Sequence, residues 1–261
     1  MPELPEVESF RRRFEAEALH RIILRVEVHD AKVLRETPIP ALRKFLEGHS
    51  LINTHRRGKY FFAERDAGQY LHIHLGMTGD MVRFLPEEDP PRHTRVAIHF
   101  TEGPSLAYRD MRKFGHFYPV PDLEALYQQR DLGPDALALD EAHFLTIMRK
   151  RKGILKAALL DQSLLAGLGN LWIDEICLIT AIHPASAIEN IPDKILSIFF
   201  KAMQETLSAA LAQNPLYHTY PTDHLWAWRK AGYCFPDGTG PVAVQTLAGR
   251  TTCTVPTQIK W

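Results

Sequence analysis

The residues with the sharpest chemical consequence lie at the start of the chain, MPELPEVE. A small residue at position 2 favours removal of Met1, which would leave Pro2 as a terminal secondary amine. Such an amine can attack an electrophilic carbon and form an iminium, the covalent strategy that lysine uses in Schiff-base enzymes. Glu3 stands next to it as a proton donor or acceptor. The plain alternative is that Pro2 and Pro5 only stiffen an ordinary terminus. The remaining motifs have to decide between the two.

Three further stretches carry chemistry. HLGMTG, 74–79, sets Met77 on a turn between glycines, and RDMRKFG, 109–115, offers Arg112 and Phe114 at another turn. An apolar wedge, an aromatic wedge and a guanidinium are the tools for filling the gap left by a base removed from a duplex stack. Burial statistics alone would instead place Met77 and Phe114 in a core. LLDQSLLAGLGNLWIDE, 159–175, reads as two helices joined by a Gly-rich turn, with Asn170 at the second helix's N-terminus, where an anion binds well. Beside DNA that is a phosphate clamp; otherwise it is an αα-hairpin.

Lys plus Arg and Asp plus Glu both number 31, so net charge does not announce a polyanion partner. Local clusters do: RRR at 11–13, HRRGK at 55–59, YRDMRK at 108–113 and MRKRKGILK at 148–156. Their interleaving with aromatics and glycines suggests a phosphate-tracking groove. Cys177, Cys234 and Cys253 are odd in number and widely spread, which argues against a disulfide framework. No leader-type apolar region and no membrane span is read from the sequence, so the protein is expected in the cytosol, a bacterial cytosol or nucleoid. A rival metal site can be drawn from His72, His74, His93, His99 and His116, but no carboxylate cluster accompanies it.

The elements that must position these residues follow from periodicity. Val7, Phe10 and Phe14 mark a helix over 6–18, after which short β-rich runs separated by turn residues continue to about 120 and suggest a sandwich or barrel. Helices are expected near 141–150, with Asp140 as cap, and at 154–161, 170–180 and 192–212. VAVQTL and RTTCTV flank an Ala-Gly-Arg turn and read as a terminal hairpin.

In this order, MPELPEVE, RRGKY, HLGMTG, RDMRKFG, the LLDQ…LAGLGN stretch and the Ala-Gly-Arg turn resemble the formamidopyrimidine-DNA glycosylase and endonuclease VIII family, nearest its formamidopyrimidine branch. The resemblance runs through nearly the whole chain. It implies an α+β multi-domain fold: an N-terminal catalytic β-sandwich with flanking helices over 1–130, a helix-two-turn-helix DNA-binding domain over 131–215 and a β-hairpin finger over 216–261. It implies Pro2 as nucleophile on C1′ of a damaged nucleotide, Glu3 as acid/base partner and Lys59 as a catalytic or phosphate-contacting lysine. Met77, Arg112 and Phe114 would fill the void, Asn170 and Arg250 would grip phosphates, and Lys152 would lie near the damaged base. Glu175 matches an acidic position read as structural. The implied activity is that of a bifunctional glycosylase and AP lyase acting as a monomer on double-stranded DNA with damaged bases or abasic sites.

Two departures qualify the expectation. Many family members end in a zinc ribbon, two CxxC pairs about 16 residues apart. Here only Cys234 survives of the four donors and Cys253 is out of register, so no cofactor is expected and zinc is predicted absent, with a finger held by packing through Tyr233, Phe235 and Trp261. The second departure is NPLYHTYPTDHLWAWRK, 214–230, which replaces the Gly- and Thr-rich loop that covers 8-oxoguanine in that branch. Its aromatics could stack on a flipped base or pack the finger. A glycosylase specialised for bulky or cross-linked adducts, or a non-catalytic damaged-DNA binder, are the alternatives this leaves.

Overall fold

The structure, a computed structural model, describes residues 2–213 and 229–261; most of the aromatic 214–230 stretch therefore lies outside the described residues. The chain divides into two compact units, Pro2 with Val7–Arg130 and Glu3–Glu6 with Asp131–Trp261.

In the first unit, α1 (Leu4–Ala18) is followed by β1 (Ile23–Val28), a 3-10 turn (Ala31–Leu34) and α2 (Ile39–Leu46). The strands β2 (Leu51–Arg57), β3 (Tyr60–Arg65), β4 (Tyr70–His74), β5 (Gly79–Phe84), β6 (Thr94–Phe100), β7 (Ser105–Asp110) and β8 (His116–Val120) come next, then α3 (Leu123–Gln129). Two antiparallel four-stranded sheets, ordered β1-β6-β7-β5 and β2-β3-β4-β8, form the β-sandwich. The alternation of side chains along each strand sets the core. Val26, Val96, Ile98 and Leu106 from one sheet and Phe61, Leu71, Ile73 and Phe117 from the other belong to one buried cluster. Phe10 and Phe14 of α1 meet the edge of Phe61 at 5.3 and 5.2 Å between ring centroids. Burying each such ring stabilises by about 1.5–3 kcal/mol. On the opposite face of β3-β4-β8, Phe62, His72 and Tyr118 are register partners, as the HIH alternation requires, and Leu126 of α3 packs beside Phe62.

In the second unit, α4 (Glu141–Arg149), α5 (Leu155–Leu160), α6 (Asn170–Ile179) and α7 (Asp193–Ala212) precede the hairpin β9 (Ala243–Leu247) and β10 (Arg250–Thr254). Asp140 caps α4 by accepting from the His143 N–H at 2.7 Å. α7 is long and apolar enough to cross a membrane by length and composition, which the sequence reading overlooked. Its Leu196, Phe199, Met203 and Leu207 are fully buried among Phe144, Leu165 and Trp172, so its apolar side is spent on the helical core. The hairpin turns at Ala248 and Gly249, both at positive φ (49° and 68°), the paired left-handed geometry of a tight two-residue turn. Val242, Cys253 and Val255 form its small core with Tyr233, Phe235 and Leu178 against them. Trp261 packs on the helical core instead of on this cluster.

Candidate active site

Pro2 is buried, and Glu3 directly after it is 5 % exposed. The Glu3 carboxylate accepts from the backbone N–H groups of Leu171 (2.8 Å) and Trp172 (3.2 Å), in the first turn of α6. Those are the donors a helix leaves unsatisfied at its N-terminus, and the helix dipole favours a negative charge there. The anion seated at the Gly-rich turn is thus the chain's own Glu3. Gly169 permits this: a Cβ there would lie 2.3 Å from the Glu3 carboxyl carbon. Leu4 is tied to the same turn, its N–H donating to the Gly167 carbonyl at 3.1 Å.

Glu6 completes the arrangement, and sequence reasoning missed it. Its Oε2 accepts from the Glu3 N–H at 2.7 Å and its Oε1 from the Trp172 indole at 3.2 Å. Burial, reinforced by the Glu3 charge, pushes the Glu6 carboxyl up to about 7. One member of the acidic pair is thereby held near neutrality, the range in which a carboxyl can both give and take a proton. The signal available in the sequence was the i, i+3 spacing of Glu3 and Glu6 on one helical turn.

Met77 and Phe114 are 43 % and 52 % exposed, so neither fills a core. The two turns that carry them are joined through Asp110, which is fully buried. Its carboxylate accepts from the Thr78 hydroxyl (2.5 Å), the Arg112 N–H (3.2 Å) and the Gly115 N–H (2.7 Å). Gly76, at φ 57°, lets the turns approach: a Cβ there would lie 2.5 Å from the Gly115 nitrogen. The Arg112 guanidinium lies over the Phe114 ring at 4.8 Å, a cation–π contact that holds the pair as one projecting unit. Three side chains from two loops are in this way presented together to solvent, and the aspartate that orients them was not singled out in the sequence.

Lys59 follows Gly58 (φ 58°) in the turn between β2 and β3 and is 9 % exposed. Its charge reaches His74, whose ring burial first, then His116, Arg35 and Lys59, push down to about 4. His72 is also held well below its ordinary value by burial, and it stacks on Tyr60 (9° between planes) and Phe62 (26°). These histidines are packed as rings. Among the described residues no group of three or more His, Cys, Asp or Glu side chains is placed to hold a metal.

In the second unit Asn170 opens α6 and donates from Nδ2 to the Thr251 carbonyl at 2.8 Å, leaving the amide's second N–H for another acceptor. Arg250, exposed, directly precedes Thr251 at the hairpin turn, so the two expected phosphate grips are one residue and one hydrogen bond apart. Beneath them lies an ion cluster that sequence reasoning did not foresee. Asp174, fully buried, binds Lys156 Nζ (2.5 Å), Arg229 Nη1 (2.6 Å) and the Cys253 N–H (3.1 Å). Lys156 also donates to the Thr252 hydroxyl at 2.7 Å, and Arg229 to the Thr251 carbonyl at 2.9 Å. Lys152, by contrast, is exposed on the loop before α5; the carboxylate near it, Glu189, is held below its usual range by its own and the Gly153 backbone N–H, with Lys152 adding. The only two described cysteines of the finger do not fit a tetrahedral zinc: Cys234 is exposed and Cys253 is buried in the apolar hairpin core.

A sandwich of two four-stranded sheets, a helical unit with a Gly-rich turn before α6, and a β-hairpin near the end of the chain make up the architecture of a DNA glycosylase. The family model for the formamidopyrimidine-DNA glycosylase N-terminal domain matches residues 1–117, and that for its H2TH domain matches 132–219. The formamidopyrimidine-DNA glycosylase of Heliobacterium modesticaldum is 32 % identical over 97 % of both chains, and that of Pelotomaculum thermopropionicum is 33 % identical over 81 % of this chain and 78 % of its own. Among solved structures, the Lactococcus lactis enzyme with abasic-site DNA superposes with a TM-score of 0.89 at 26 % identity, covering 99 % of this chain and all of that one. The chain belongs to the formamidopyrimidine-DNA glycosylase family.

Proposed function

We propose that the protein is a bifunctional DNA glycosylase and AP lyase of base excision repair, acting as a monomer on oxidised or ring-opened bases in double-stranded DNA. The observation that carries this is the Glu3 carboxylate held by the α6 N-terminus, with Glu6 titrating near 7 behind it, directly after Pro2. Once Met1 is removed, the Pro2 nitrogen attacks C1′ of the damaged nucleotide and the C1′–base bond breaks, the departing base taking a proton. Ring opening gives an iminium, which acidifies the C2′ protons. Their loss expels the 3′-phosphate and then the 5′-phosphate by β- and δ-elimination. The Glu3–Glu6 pair is the nearest proton store for these transfers. A terminal α-amine titrates near about 7.7–8.0, so a useful fraction is unprotonated at neutral pH.

Lys59 serves as phosphate contact or catalytic cation. Met77, Arg112 and Phe114 occupy the gap left by the flipped nucleotide, and Asn170 and Arg250 hold the backbone. Lys152 is assigned a contact near the lesion. The finger works without zinc, its apolar core and the Asp174 ion cluster supplying the rigidity. The protein acts in the cytosol at the nucleoid.

Borohydride trapping on an oligonucleotide with an abasic site tests the reading. The expected result is a covalent adduct that peptide mapping by mass spectrometry places on the Pro2 nitrogen; an adduct mapped to a lysine side chain, or none at all, overturns it.

A further inference from the structure

The turn that carries Arg112 and Phe114 has a second tether, at its tip. Lys113 stands between those two residues on a left-handed backbone (φ 57°), and its Nζ lies 2.6 Å from Oδ2 of Asp30. Asp30 caps the 3-10 turn Ala31–Leu34, its other carboxylate oxygen accepting from the Lys32 N–H at 3.1 Å. The Asp30 side chain is only 16 % exposed. A second cation, Arg95 of β6, brings Nη1 to 3.7 Å from the same Asp30 oxygen, while its Nε donates to the Asp110 carbonyl at 2.8 Å. An exposed lysine pair ordinarily contributes little, because ordering the long side chain offsets the attraction. Here the carboxylate is fixed beforehand by its cap and by Arg95, so Lys113 alone has to be ordered.

We propose that Asp30 is a positioning residue for base extrusion: acting through Lys113, it fixes the tip of the wedge turn before DNA arrives. The inference rests on the functional reading above. Asp110 grips this turn from its buried side, at the N–H groups of Arg112 and Gly115. The Lys113–Asp30 pair adds a grip between those two points, from the 3-10 turn after β1. Arg95 joins the two anchors into one frame. A wedge held in this way enters the base stack already ordered, whereas a loose one has to lose that freedom during insertion, which raises the barrier. A preformed abasic site has no base to extrude, so its cleavage should depend far less on the tether.

The test compares the full chain with Asp30→Ser, which keeps a capping oxygen for the 3-10 turn and removes the carboxylate. The single-turnover rate of excising a ring-opened purine from duplex DNA should fall roughly fivefold, and cleavage at a preformed abasic site less than about twofold. In Lys113→Gln, adding Asp30→Ser should lower excision no further, because the partner is already gone. Equal losses on the two substrates, or additive losses in the double variant, overturn the proposal. A second arm needs no DNA. Amide hydrogen exchange at Arg112 and Gly115 should quicken in Asp30→Ser, while exchange in β3 and β4 stays as in the wild type and shows the sandwich intact. Unchanged exchange at the turn overturns the tether, whereas a wild type that excises no base and cuts no abasic site defeats the functional reading instead.

Discussion

At the scale of single residues, the buried Glu6 sets a pH dependence with a definite sign. Its folded-state pKa is raised to about 7 from the ordinary 4.5. Below the ordinary value both states carry the proton and nothing is contributed. Between about 4.5 and 7 the unfolded chain loses a proton that the folded one keeps, so stability falls as pH rises, and above 7 the penalty is constant at roughly 3 kcal/mol. Glu6→Gln should remove this component: denaturant melts at pH 5 and pH 8 should show the wild type losing roughly that much relative to the variant, and parallel losses would exclude the assignment. The wedge residues behave differently. Phe114 is half exposed, so Phe114→Ala should change stability by no more than about 0.5 kcal/mol while reducing extrusion of the target base, read from a fluorescent base analogue placed opposite it. Asp110→Ala, which strips three donors of their acceptor, should cost on the order of 3 kcal/mol as well.

At the scale of elements, the finger is tied to the helices by one buried carboxylate. The Asp174 carboxylate joins α6 to β10, through the Cys253 N–H, and to Lys156 and Arg229. Removing one partner of a buried pair leaves an uncompensated charge, so Asp174→Asn should destabilise by about 3–5 kcal/mol and loosen Arg250 together with Asn170, since Thr251 is held from the same cluster. The matching readout is a weaker grip on abasic DNA at temperatures where the variant remains folded. The hairpin itself was legible because an Ala-Gly turn between two alternating runs is a local signal. The helices near 141, 155, 170 and 193 were legible for the same reason. The ion cluster was not: its partners are separated by 18 and 55 residues, with no periodicity to connect them, and Lys156 stands in a basic run that reads as a solvated face. Likewise Pro2, Glu3, Met77 and Phe114 could be picked out by type and spacing. That Glu3 would cap a helix opening at Asn170, and that Asp110 would bind the two wedge turns, depends on contacts only a folded chain makes.

For the molecule as a whole, function should be independent of metal. Prolonged treatment with a zinc chelator is expected to leave melting temperature and abasic-site cleavage unchanged, and elemental analysis to find no stoichiometric zinc; a chelator-sensitive melt would contradict the reading of the finger. One further consequence lies in the 168 residues between Glu3 and the Leu171 N–H it binds. The first helical turn belongs with the second unit although the rest of α1 belongs with the first. During synthesis the chain's opening residues therefore emerge long before their partner exists, and closing so large a loop is entropically late. The sandwich can condense while Glu3 still lacks the helix that holds its carboxylate. On the proposed mechanism, a sandwich that has folded ahead of the helices should therefore bind no aldehyde covalently, because Glu3 is still without the two N–H groups that hold it.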